Sequence, residues 1–190
     1  MLLAILVGPA AAYIGVMEAM GNIHVVTHRV LYRSGQLGAV ELGELVHAEG
    51  IRSILNLRGD HPEEEWWRTE VRLAHEAGLS YGSVALSSGS QPDMQTMMRL
   101  ADLMRNAPKP LLIHCTHGAD RSGLAAAIYR LTAEGASEED ASEQLSIAYG
   151  HFPWLGSRTR AMDDAFAAFA AQWQSAAAQE VPEVQEAALR

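Results

Sequence analysis

Short β-prone runs alternate along this chain with longer stretches whose apolar residues recur at helical spacing. VLYRS (30–34), SILNL (53–57), LSYGSVAL (79–86) and LLIHC (111–115) are the strand-like segments. The last is a continuous apolar run of the kind buried on both faces of a sheet. Between Val40 and Ala48, Val40, Leu42, Leu45 and Val46 fall partly at helical spacing, and Gly50 supplies a stop. Pro62 opens PEEEWWRTEVRLAHEAG, with three Glu in its first turn, where the helix dipole favours negative charge, and Gly78 ends it. SSGSQ (87–91) reads as a loop, and Pro92-Asp93 starts a helix carrying Met94, Met97, Met98, Ala101 and Met104 on one stripe. A methionine stripe of this spacing is core packing rather than a ligand box.

Pro108-Lys109-Pro110 breaks that helix ahead of LLIHC. After Gly118 a helix runs through LAAAIYRL to about Gly135, and Ser137, followed by Glu139 and Asp140, opens another to about Tyr149. A final helix is expected from about Ser157 to Ala178, with Phe166, Phe169 and Trp173 on one side. Strands alternating with helices indicate an α/β fold with a central, mostly parallel sheet of four or five strands flanked by helices. The expected division is an apolar N-terminal segment (1–22), one domain (23–178) and a C-terminal tail (179–190). In such sheets chemistry lies at the carboxyl ends of the strands. That points to the segment after Leu111-Leu112-Ile113.

Composition narrows the function. Fourteen Lys+Arg against 23 Asp+Glu give a net charge of −9 over 190 residues. No basic tract is available to neutralise a nucleic-acid backbone, so no nucleic-acid partner is expected. A phosphate pocket needs only local positive potential and stays open. Cys115 is the sole cysteine, which excludes an internal disulfide and a multi-cysteine metal cluster. Residues 2–17 carry no charge but are shorter than the roughly 20 residues that span a bilayer, and Gly8-Pro9 interrupts them. No Lys or Arg precedes the run, so the basic start of a secretory signal is missing. The segment reads as the remnant of a signal or membrane anchor, giving a periplasmic or membrane-anchored protein. The alternative is an apolar helix packed on a cytoplasmic domain.

His114-Cys115-Thr116-His117-Gly118-Ala119-Asp120-Arg121-Ser122-Gly123 joins the buried strand to a helix, with five residues between Cys115 and Arg121. A loop of this size wraps its N–H groups around one tetrahedral oxyanion, and the helix N-terminus adds positive potential. Arg121 can fork two donors onto the same oxyanion, which Lys cannot reproduce. Cys115 lies at the base of the cup, where donors and dipole favour the thiolate. Ser122 is placed to hydrogen-bond the sulfur. Thr116, His117, Gly118, Ala119, Asp120 and Arg121 form the candidate phosphate-binding loop. A zinc site from His114, Cys115 and His117 is disfavoured, because ligands at this spacing on a strand-to-loop turn do not converge.

His-Cys-x-x-Gly-x-x-Arg-Ser resembles the signature of the cysteine-dependent protein-tyrosine and dual-specificity phosphatases, and HCTHGADRSG is similar to their small bacterial, atypical dual-specificity-like branch. Leu31-Tyr32-Arg33-Ser34-Gly35-Gln36 and Ile54-Leu55-Asn56-Leu57-Arg58 resemble the same branch, so the likeness covers about Leu31 to Gly150. The resemblance implies the cysteine-phosphatase fold and hydrolysis of phosphomonoesters through a phosphocysteine, without cofactor or metal. It also implies a general acid from the loop before the signature, where Ser87–Asp93 offers only Asp93. Asp120 inside the loop is the rival, and Asp60 a more distant one. Phosphotyrosine or mixed phosphoprotein substrates are expected. The alternatives are a phosphoinositide or other phospholipid, a small phosphomonoester, a non-catalytic phosphate-binding module and a rhodanese-type sulfurtransferase. His114 is expected to order the loop, His117 to line the mouth, and Arg33 and Arg58 to pair structurally or add positive potential. Trp66, Trp67, His151 and Trp154 are candidates for the site's border.

Overall fold

The computed structural model describes residues 13, 15–17, 19–154 and 156–187, with side chains up to residue 178. Five strands form one sheet: β1 (His24–Thr27), β2 (Leu31–Ser34), β3 (Ser53–Asn56), β4 (Ser80–Ser83) and β5 (Leu111–His114). Their order is β1-β2-β5-β3-β4, with β1 antiparallel to β2 and every other pair parallel. The helices are α1 (Ala39–Glu49), α2 (Glu65–Glu76), α3 (Met94–Asn106), α4 (Asp120–Ala133), α5 (Glu138–Ser142) and α6 (Arg160–Ala187).

Alternation along the strands divides the apolar residues between two faces. Leu31, Leu55, Leu111 and Ile113 join Met97, Leu100 and Met104 of α3, Leu124 and Ile128 of α4, and Phe166 and Phe169 of α6. Tyr32, Ile54 and Leu112 face the other way, onto Leu42 and Leu45 of α1 and Ala74 of α2. The methionine stripe of α3 accordingly packs in the core through Met97 and Met104, while Met98 is exposed. α4 is buried on nearly every side: Ser122 through Tyr129 are all shielded from solvent. It threads between α3, α5, α6 and the sheet, which is why its sequence lacks a polar face.

The fold class and the four strands read from sequence are present, and the structure adds details that periodicity did not carry. β1 is a fifth, antiparallel edge strand of four residues, half-exposed and too short to alternate visibly. The helix expected from Ser137 to Tyr149 stops at Ser142 and resumes as a single 3-10 turn, Ile147–Tyr149. The break frees the Gln144 carbonyl, which accepts from the buried Arg33 guanidinium at 2.8 Å instead of serving a helix. α6 continues past Ala178 to Ala187, through residues that are mostly good helix formers. Most of the apolar run at 2–17 lies outside the described residues. Among the described residues no helix is long and apolar enough to cross a membrane.

Register places the site. Ser34, His114 and Asn56 are side by side in the parallel ladder, so β2, β5 and β3 release their chains at one edge. Gly35-Gln36, Cys115-Thr116 and Leu57-Arg58 therefore emerge together, at the carboxyl edge.

Candidate active site

The loop Cys115–Arg121 curls between β5 and α4 around a buried sulfur. Cys115 is 2% exposed; its Sγ receives the Gly118 N–H at 3.3 Å and sits 3.4 Å from the Ser122 hydroxyl. Gly118 has φ +75°, and a Cβ there would lie 2.6 Å from the Gly35 nitrogen and 2.7 Å from the Ser34 carbonyl carbon. Only glycine fits a left-handed turn pressed so closely against the end of β2. Arg121 folds back over the loop: Nη2 donates to Thr116 Oγ1 at 2.7 Å and Nη1 to the Leu86 carbonyl at 3.4 Å. Its Nε is buried with no protein acceptor. An unsatisfied buried guanidinium N–H beside helix N–H groups that have no intrahelical acceptor is an arrangement that calls for an oxyanion. Thr116, His117, Gly118, Ala119, Asp120, Arg121 and Ser122 are thus brought together around Cys115.

One flank of the loop is held from below. Arg33 is fully buried, and its Nη2 donates to the carbonyls of Gly118 (2.9 Å) and Ala119 (2.8 Å), its Nη1 to the Gln144 carbonyl and side chain. Its guanidinium also lies 4.4 Å from the Tyr149 ring centroid. Burial lowers the Arg33 pKa to about 10, offset in part by the nearby Cys115, Tyr149 and Asp120, so it stays charged at neutral pH. Asn22 donates from one amide nitrogen to the His117 and Tyr149 carbonyls, at 2.8 and 3.0 Å. Asp120 Oδ1 is 2.7 Å from His151 Nδ1, and His151 Nε2 is 2.9 Å from Asp163 Oδ2 on α6. His151 is wholly buried. Burial pulls its pKa down, but the hydrogen bonds and charges of Asp120 and Asp163 outweigh that and raise it above the ordinary imidazole value.

The other flank descends from Glu70 on α2. This buried carboxylate lies 3.0 Å from His114 Nε2 and accepts from the Tyr81 hydroxyl at 2.9 Å and the Gln36 amide at 2.9 Å. Burial raises its pKa, but His114, Gln36 and Tyr81 reverse the sign, and the carboxyl is held below its ordinary value. Gln36 Oε1 in turn accepts from Arg58 Nη1 at 2.9 Å, and the Arg58 guanidinium stacks 3.5 Å from the Trp66 ring centroid. His114 therefore orders the strand end through Glu70, and its other ring nitrogen, Nδ1, is buried without a partner.

The acid candidates separate. Asp93 is exposed and accepts from Thr96 N at 2.6 Å as the N-cap of α3. That backbone hydrogen bond, with one from the Thr96 side chain, lowers its pKa. Asp120, half-buried, borders a cavity of about 200 Å³ beside the loop, together with Asn22, His117, Phe152, Ser157 and Thr159. Asp60 is exposed on the turn after β3. Trp66 borders the loop's flank through Arg58; Trp67 is half-buried with an unpartnered indole N–H, and Trp154 packs edge-on against Phe152. Glu70 and Asn22 escaped the sequence reading. Glu70 had a visible signal: Trp66, Glu70, Leu73 and Ala74 share one helical stripe, so a carboxylate falls on the inward face of α2.

Several solved structures share this architecture. P. aeruginosa TpbA is 20% identical, with 80% of this chain and 92% of that one covered and a TM-score of 0.59. Tk-PTP in its active form is 15% identical over 78% of this chain and 96% of that one, with a TM-score of 0.59. PTPMT1 is 16% identical over 80% of this chain and 99% of that one, with a TM-score of 0.58. At such identities the likeness establishes the fold. No curated protein matches the chain. The family model described as DSP-PTPase phosphatase fused to NAD+ kinase matches residues 16–160, a stretch that includes the whole loop and, Asp163 apart, both flanks, and the chain belongs to that family.

Proposed function

We propose that the protein hydrolyses phosphomonoesters through a phosphocysteine on Cys115, acting on phosphotyrosine or mixed phosphoprotein substrates. The observation that carries this reading is the buried Cys115 sulfur receiving the Gly118 N–H, in a loop whose Arg121 guanidinium keeps a spare buried donor. In the first step Sγ attacks phosphorus, the S–P bond forms and the ester P–O bond breaks. Arg121 and the loop amides hold the three equatorial oxygens, where charge develops. In the second step water attacks phosphorus and the S–P bond breaks. The Ser122 hydroxyl, 3.4 Å away, stabilises the departing thiolate.

The leaving oxygen takes its proton from a carboxylic acid, which then serves as base toward water. Asp120 suits this role better than Asp93, because it belongs to the same loop as Cys115 and Arg121, while Asp93 caps the start of α3. His151 links Asp120 to Asp163, whose side chain is 35% exposed, giving the donor a route to solvent protons. Support for the substrate class comes from TpbA, solved in complex with pTyr, and for a phosphoinositide alternative from PTPMT1, solved with PI(5)P. Export or anchoring rests on the apolar N-terminal run alone.

The test is release of nitrophenolate from para-nitrophenyl phosphate. Wild-type turnover abolished by Cys115→Ser is expected; turnover surviving that exchange sinks the mechanism, and no turnover at all in the wild type leaves a phosphate-binding module. Asp120→Asn is expected to remove the basic limb of the kcat pH profile and Asp93→Asn, which keeps a capping side chain, to retain it. The opposite pattern transfers the acid to Asp93.

A further inference from the structure

We infer that Arg58 is a second anion-binding group beside the loop, and that favoured substrates carry a further phosphate or carboxylate next to the scissile phosphate; this rests on the phosphatase reading of Cys115. Backbone geometry puts Arg58 there. Leu57 N donates to the His114 carbonyl at 2.9 Å, so the chain leaving β3 runs alongside the start of the loop. Gln36 ties the two together: its main-chain N donates to the Thr116 carbonyl at 3.0 Å, while its side-chain oxygen accepts from Arg58 Nη1.

What holds Arg58 directly is neutral, and Glu70 and Glu64 act on its charge only from beyond ion-pair contact. Its partner is the Gln36 amide, a neutral group, and Gln36 gives its other end to Glu70. The Glu70 carboxylate is occupied by Gln36, Tyr81 and His114. Among the described residues no carboxylate oxygen forms an ion pair with Arg58 within 4 Å. Stacking on Trp66 covers one face of the guanidinium and fixes its plane while leaving edge N–H groups available. A structural arginine this close to a buried carboxylate would ordinarily pair with it. Here a neutral amide, Gln36, is interposed between them.

Burial and the neighbouring like charge of Arg121 lower the Arg58 pKa, and Glu70, Cys115 and Glu64 act in the opposite sense without reversing it. Two guanidinium groups near enough to repel, the second without a carboxylate in ion-pair contact, suit a ligand with two anionic groups: one for the loop and Arg121, the other for Arg58. A single phosphate in the cup uses only the first.

Calorimetric titration of Cys115→Ser protein tests this, with propyl phosphate, propane-1,3-diol bisphosphate and 3-phosphonooxypropionate as probes. The bisphosphate is expected to bind about tenfold tighter than propyl phosphate, the worth of one charge-assisted contact. Adding Arg58→Gln is expected to erase most of that ratio, and Arg58→Lys, which keeps charge but not the stacked fork, to restore part of it. Thermal melting of each variant confirms folding. A carboxylate probe that matches the bisphosphate assigns the second group to acidic peptides; one that binds like propyl phosphate assigns it to a second phosphate. Equal binding of propyl phosphate and bisphosphate, or a ratio unchanged by Arg58→Gln, overturns the second site alone. Failure of every probe to bind overturns the phosphatase reading and the second site with it.

Discussion

The two flanks of the loop are built from similar residues and do opposite things. On the Arg33 side the two terminal guanidinium nitrogens have four acceptors and an imidazole sits between two carboxylates, leaving only Arg33 Nε buried without a partner. On the Glu70 side the network is just as continuous, through His114, Gln36 and Tyr81, yet it ends in Arg58 with charge to spare. Saturated polar groups in a low-dielectric interior fix geometry, and an unsaturated end is available to a ligand. The first arginine holds the loop in shape, and the second is free to address what the loop receives.

Breaking the Arg33 side should cost most. Arg33→Met leaves the Gly118, Ala119 and Gln144 carbonyls buried without their donor, and the expected loss is about 3–5 kcal/mol in urea unfolding. A loss under about 1 kcal/mol would mean that the loop does not depend on Arg33. A smaller effect, sharper in sign, comes from His151. Its folded pKa is raised, so its contribution is fully present below the ordinary imidazole value and fades as pH rises through the folded one. The melting temperature should therefore fall from pH 6 toward pH 9, and His151→Asn should flatten that slope. Glu70 works in reverse: its lowered pKa gives a contribution present above the ordinary carboxylate value and lost on acidification. Glu70→Gln should lessen the drop in melting temperature below pH 4.5, and an unchanged acid limb would place the acid sensitivity elsewhere.

The centre of the site was legible in the sequence because its chemistry is local. Cys115, Arg121 and Ser122 lie within eight residues, on a strand, a loop and a helix start that each declare themselves by composition. The flanks were not legible for a physical reason. Arg33 reaches Gly118 across 85 positions, Glu70 reaches His114 across 44, and His151 reaches Asp120 across 31. Tertiary packing brings them into contact; local periodicity can mark Glu70 as inward-facing but does not name its partner. Arg33 could be read as structurally paired because an arginine inside VLYRS has to find partners. Asp93 illustrates the converse: a Pro-Asp step is as good a cap as a catalytic carboxylate, and in the fold Asp93 accepts from Thr96 N as the cap of α3.

The burial of α4 bears on how the site can be controlled. Asp120 and Arg121 begin a helix whose next eight residues are all enclosed. Swinging the arginine's backbone would drag the middle of the molecule with it, at the expense of close packing on every side. Agents that switch such a protein on or off will therefore work on its rim, through Gln36, Arg58 or the segment carrying Phe152, because the anvil itself does not yield.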